Sequence, residues 1–199
     1  QVKINAAASM IAKFIRTKIV VMLHGSPAIG KSAIVKQIAN EYGLKLIDVR
    51  LAQCDPTDIC GFPTITGEKA SYKPMDTFPI EGDAIPKGYN GWLLFMDELN
   101  SAAPATQSAS YKIILDRMVG NHNLHKNVAI VAAGNLETDN AIVQPMSTAL
   151  QSRMAHLELV VDAKEWVEWA SSHGIDYRIT SYINFKPDAL YTFSPDHTD

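Results

Sequence analysis

Gly25-Ser26-Pro27-Ala28-Ile29-Gly30-Lys31-Ser32 decides how this chain folds, because it meets the phosphate-binding pattern G-x-x-x-x-G-K-[ST] at every fixed position. The flanks agree with the letters. Lys18 to His24 is a short apolar run of strand type, and Ile34, Val35, Ile38, Ala39 and Tyr42 recur at helical spacing until Gly43 closes the helix. A loop between strand and helix turns successive backbone N–H groups, together with the positive end of the helix dipole, toward a β-phosphate. Gly25 and Gly30 are expected to allow conformations that a Cβ would obstruct. Lys31 is expected to reach the β- and γ-phosphates, and Ser32 to hold Mg²⁺. The stretch therefore predicts a nucleoside triphosphate site.

Working outward, the 199 residues allow one domain, or one domain with a small appendage, and 47% apolar content is ample for a core. A net charge of −3 provides no overall attraction to nucleic acid or to an anionic membrane. Cys54 and Cys60 are spaced neither as a metal site nor as a disulfide framework, so reduced thiols in a cytoplasmic compartment are expected. Residues 5–18 start with a small apolar stretch, but Lys13, Arg16 and Lys18 interrupt it, and an amphipathic helix fits better than a secretory signal. No stretch reaches the length of a membrane span. The chain begins with Gln1 rather than Met, as expected of a segment trimmed from a longer protein.

Beyond the first helix, Leu44 to Leu51 reads as a second strand, and residues 53–90 are then rich in Pro, Gly and Asp with a hairpin-like piece from Thr64 to Lys73. So long an irregular insertion is expected to be functional, and Phe62, Tyr72 and Lys73 mark it as a partner-handling surface. Trp92-Leu-Leu-Phe-Met-Asp97-Glu98 delivers two carboxylates at a strand's C-terminal end, the Walker B pattern. Asp97 suits a Mg²⁺ ion and Glu98 suits the activation of an attacking water. A helix is expected from about Ala103 to Val119, followed by a strand from Val128 to Ala133 whose tip carries Gly134 and Asn135. An amide there could position water beside the acids. The last strand, His156 to Val161, follows Arg153, and helices are expected from Asp162 to near Gly174 and from Asp176 to Phe185, with a short helix and loose tail over 187–199.

Taken in order, GSPAIGKS, LLFMDE, AAGN and the box ending in SRM resemble an AAA+ ATPase, specifically the MoxR-like branch with an insert in its second helix. Three segments, RLAQCDPTDICGFP, MDELNSAAPATQSASYKIILDR and VAIVAAGNLETDNAIVQPMSTALQSRMAHLEL, are similar to the MoxR-like proteins that work beside a von Willebrand factor A-type partner. The resemblance implies an α/β three-layer P-loop core with a parallel sheet over residues 1–161, and a partial C-terminal helical lid over 162–199 that stops before the family's sensor 2 arginine. It implies ATP and Mg²⁺ as ligands, Asn135 as sensor 1, and Arg153 as an arginine finger acting on a neighbouring subunit of a homo-oligomeric, hexameric ring. Met154 departs from the family, which has an aromatic residue after that arginine. The implied function is ATP hydrolysis at subunit interfaces to remodel or activate a protein partner. An ATP-dependent switch or scaffold with little turnover and a nucleic-acid motor are the alternatives; no aromatic and basic nucleic-acid module is evident, and the absence of an [NT]-K-x-D motif argues against a GTPase.

Overall fold

The apolar runs become strands of one parallel sheet. The computed structural model of the protein describes residues 1–139 and 143–193. In chain order the elements are β1 (Val2–Lys3), α1 (Ile4–Thr17), β2 (Val20–His24), α2 (Lys31–Glu41), β3 (Leu44–Arg50), α3 (Pro56–Cys60), β4 (Phe62–Thr66), β5 (Lys69–Lys73), β6 (Gly91–Asp97), α4 (Pro104–Asp116), β7 (Met118–Val119), β8 (His122–Asn123), β9 (Val128–Gly134), α5 (Thr148–Gln151), β10 (Met154–Val160), α6 (Ala163–Ser172) and α7 (Tyr177–Phe185). The main sheet runs β1-β10-β2-β9-β6-β3, and every neighbouring pair in it is parallel.

Alternation along each strand divides the core between the two faces of this sheet. Val21, Leu23, Leu93, Phe95, Val131 and Ala133 pack toward α1 and α2, where Ala7, Ile11, Ile34, Val35 and Ile38 meet them. Val20, Met22, Leu94, Met96, Ile130 and Ala132 point the other way, onto Ile113, Ile114 and Leu150 of α4 and α5. Because helices cover both faces, the central strands β2, β9 and β6 are nearly continuous apolar runs, while β10 and β3 toward the edges interleave polar residues such as His156, Glu158, Lys45 and Asp48. This is the three-layer α/β arrangement expected of a P-loop core.

Some element boundaries differ from the sequence expectation. Helix α4 stops at Asp116 rather than Val119, because Arg117 takes a left-handed backbone, φ 55°, and Met118–Val119 then pairs with His122–Asn123 in a small hairpin. The insertion holds α3, which starts on Pro56 behind Asp55 and is fastened by reciprocal bonds between Asp55 and Asp58. The hairpin expected at Thr64–Lys73 is β4 and β5, with Phe62 63% and Ile65 81% exposed. Among the C-terminal helices, α6 is capped by Asp162, whose carboxylate accepts from the Glu165 N–H, and Asp162 also pairs with Lys3. Of the expected tail, Pro187–Leu190 forms one 3-10 turn, while residues 194–199 lie outside the described residues, as do residues 140–142 of the family-like segment.

Candidate nucleotide site

Strands β2, β6 and β9 are adjacent in the sheet through β9, so the peptides that follow them emerge side by side at its C-terminal edge, where open α/β sheets bind ligands. The phosphate loop follows β2. Gly30, with φ +105°, is the N-cap of α2, a conformation open to glycine at little cost. At Gly25 the obstruction is close approach rather than a left-handed backbone, since a Cβ there would stand 3.0 Å from Ile29 Cγ2, and the other left-handed residue of the loop is Ala28, φ 61°.

Lys31 opens α2 and folds back into the loop, with 9% of its surface exposed. Its ammonium donates to Gly25 O, to Ser26 O at 3.1 Å and to Asn135 Oδ1 at 3.2 Å. Burial pulls its pKa below the ordinary lysine value, while the carboxylates of Asp97, Asp139 and Glu98 oppose that shift. Ser32 Oγ donates to Asp97 Oδ2 at 3.3 Å, so the two expected metal ligands share one hydrogen bond across α2 and β6. Asp97 turns its other oxygen to the N–H of Glu98, 2.9 Å away, and Glu98 leaves the strand in a left-handed conformation, φ 58°. All the expected site residues of the loop, both acids and Asn135 therefore meet at one edge. Arg153 does not join them. It is exposed, its guanidinium bonds only to Ala149 O among the described residues while its N–H donates to Leu150 O, and it precedes Met154, which lies opposite Val20 at the start of β2. Four residues of strand at about 3.3 Å each put it roughly 13 Å down the sheet from His24.

The Ser32 hydroxyl and Asp97 carboxylate are hard oxygen donors that fit Mg²⁺, an ion held by one or two side chains together with phosphate oxygens and waters. Among the described residues no group of three His, Cys, Asp or Glu side chains converges to hold a metal unaided.

Several contacts at this edge were not legible in the motifs. Asn100, only 4% exposed, donates its amide to Asn135 O at 2.8 Å and accepts from Asn135 N–H at 3.1 Å, clamping the strand tip. Gly134 makes this possible, since a Cβ on it would fall 2.3 Å from Asn100 Oδ1. The available signal was weak, an amide two residues past the acids in Asp97-Glu98-Leu99-Asn100-Ser101, where polar neighbours hide it. Ser26 Oγ donates to Asp139 Oδ1 at 3.0 Å, and Tyr191 hydroxyl donates to Pro27 O at 2.9 Å. An open cleft of about 510 Å³ beside Lys45, Asp76, Asp83 and Trp92 lies at the starts of β3 and β6 and shares no residue with the phosphate loop.

Comparison with known proteins adds a family and a fold. Residues 21–160 match the family model described as ATPase family associated with various cellular activities (AAA). A candidate ATPase from Cytophaga hutchinsonii shares the fold at 18% identity, with TM-score 0.58 over 87% of this chain and 52% of the other. NtrX from Brucella abortus does so at 17% identity, with TM-score 0.52 over 88% of this chain and 43% of the other. The chain thus spans about half the length of these solved chains. A comparison with curated proteins returned no match.

Proposed function

The chain belongs to the ATPase family associated with various cellular activities (AAA), whose domain supports ATP-dependent activity, and from that premise we propose a MoxR-like, Mg²⁺-dependent ATPase that works on a protein partner. The observation that carries this reading is the meeting of Lys31, Ser32, Asp97, Glu98 and Asn135 at one edge of the sheet. Gly25 to Ser32 would cradle the phosphates with backbone N–H groups, while Lys31 exchanges its carbonyl partners for phosphate oxygens. Ser32 and Asp97 would hold Mg²⁺, which would supply charge neutralisation for the β- and γ-phosphates. Glu98 would take the proton of an attacking water that Asn135 helps to orient, and Arg153 would serve the pocket of a neighbouring copy in a ring.

The partner is proposed to be a von Willebrand factor A-type protein in the cytoplasm, on the strength of the sequence resemblance alone. Among the described residues, no helix is long and apolar enough to cross a membrane. The decisive experiment is turnover by Glu98→Gln. It should bind Mg-ATP as the natural protein does and hydrolyse it roughly 10² to 10⁴ times more slowly, the share of a positioned general base. Wild-type turnover in that variant places the base elsewhere. Absence of turnover in the natural protein, with ATP still bound, favours a switch or scaffold, and stimulation by DNA favours a nucleic-acid motor.

A further inference from the structure

The last residue of β2, His24, directly precedes the phosphate loop, and its Nε2 lies 2.8 Å from Nδ1 of His156 on β10. The ring centroids are 5.1 Å apart with planes 18° from parallel. At that separation, with nitrogens this close, the rings lie nearly edge to edge in one plane and share an N–H···N bond rather than a stack. The other nitrogen of His156, Nε2, is 2.8 Å from the carbonyl oxygen of Gln151. A carbonyl can only accept, so His156 carries its proton on Nε2, receives at Nδ1, and fixes the proton of His24 on Nε2. The three groups form a one-way chain of donors.

That chain crosses the interval separating the phosphate loop from Arg153. Gln151 ends α5, a helix of a single turn that cannot persist by its own hydrogen bonds, and its carbonyl is one of the terminal oxygens a helix leaves unpaired. Ser147 caps the other end of α5, and Leu150 is buried under it in the cluster that also holds Val20 and Met22 of β2, so α5 already meets β2 through apolar packing, which sets no direction. His156 adds the directional bonds between the turn carrying Arg153 and the strand that carries the loop. Burial holds His24 below the ordinary imidazole range, aided by His156 and Lys31 and opposed by Glu158, so at neutral pH it is uncharged, the form this donor chain requires.

We propose that His24 and His156 are positioning residues, a relay that fixes the Arg153 turn relative to the phosphate loop of its own subunit and so sets how Arg153 is presented to the next one. The relay rests on the reading of Arg153 as a finger acting in trans. It is tested in the full-length, assembled protein by measuring kcat, KM and the affinity for a fluorescent ATP analogue.

His156→Phe, which keeps the ring and loses both bonds, should lower kcat roughly 10- to 100-fold, the effect of a small misplacement of a catalytic group, with nucleotide affinity unchanged. His156→Gln, which can still accept and donate, should recover most of that loss. His24→Phe should add little in the His156→Phe background, as two members of one chain do not contribute independently. Mixed assemblies localise the defect. His156→Phe subunits should regain turnover beside Lys31→Ala subunits, which lend a sound finger, and not beside Arg153→Ala subunits. If Arg153→Ala is slow while His156→Phe is not, or if His156→Phe loses nucleotide affinity in step with kcat, the relay is overturned. Should Arg153→Ala itself turn over at the wild-type rate, the finger reading fails and the relay with it.

Discussion

Lys31 concentrates the residue-scale logic of the site, because a buried ammonium is held there by two loop carbonyls and the Asn135 amide oxygen. With burial depressing its pKa below 10.5, the native protein binds its proton less readily than the unfolded chain does. Stability should therefore rise as pH climbs through that depressed value toward 10.5. A bound triphosphate reverses the sign by favouring the charged form. ATP binding in that alkaline window should take up protons, read as a buffer-dependent heat in calorimetry, and the uptake should vanish in Lys31→Ala. That variant should keep its fold and lose measurable ATP binding; equal affinity in both proteins would remove the phosphate-site assignment. Gly134 gives a second residue-scale prediction. Its Cβ would collide with Asn100 Oδ1 and with Met22 Cε at 2.7 Å, so Gly134→Ala should cost about 1–3 kcal/mol in chemical denaturation, the range of overpacking, and should weaken turnover by shifting Asn135. Unchanged stability and unchanged kcat would show that the clamp on the strand tip is dispensable.

At the scale of elements, the β4–β5 hairpin contributes none of the residues that meet at the nucleotide edge, and it exposes Phe62, Ile65 and Tyr72, apolar surface that its own pairing does not require. Deleting Thr64 to Lys73 should preserve basal ATPase and abolish stimulation by the partner, and loss of ATP binding itself would contradict a partner-handling role. The limit of what the sequence discloses also lies at this scale. The loop, the strand ending in Asp97 and Glu98, and the strand ending in Asn135 were legible because each is a local pattern whose residue types are forced by chemistry and burial. Contacts such as Ser26 with Asp139, 113 residues apart, or Tyr191 with Pro27, 164 apart, carry no local period, and they exist only once the strand order is fixed. Helix α4 shows the opposite failure. Its apolar spacing continues past Asp116, yet Arg117 turns left-handed and the chain enters β7, a tertiary choice that overrides the helical pattern.

For the whole molecule the decisive fact is where Arg153 stands. It lies at the start of β10, beside the start of β2, while the phosphate loop leaves β2 at the other end of the same sheet. A side chain with that root cannot serve its own pocket across roughly 13 Å of strand, and among the described residues its guanidinium has no acidic partner, the ion pairs there being Lys3 with Asp162 and Arg178 with Asp176. An exposed cation with no carboxylate partner among the described residues suits a neighbour's transferring phosphoryl group, where such a fork is worth about 10³ to 10⁵ in rate, or roughly 4 to 7 kcal/mol. Turnover should then belong to the assembly rather than to the subunit. Specific ATPase activity of the full-length protein should rise steeply with concentration over the range in which sedimentation shows subunits associating, and Arg153→Ala should flatten that rise while leaving both ATP affinity and association intact. Mixing Arg153→Ala subunits, which keep a sound pocket, with Lys31→Ala subunits, which keep a sound finger, should restore turnover that neither has alone. A dilute sample, monomeric by sedimentation and hydrolysing ATP at full specific activity, would show that each subunit completes its own site and that Arg153 has another use.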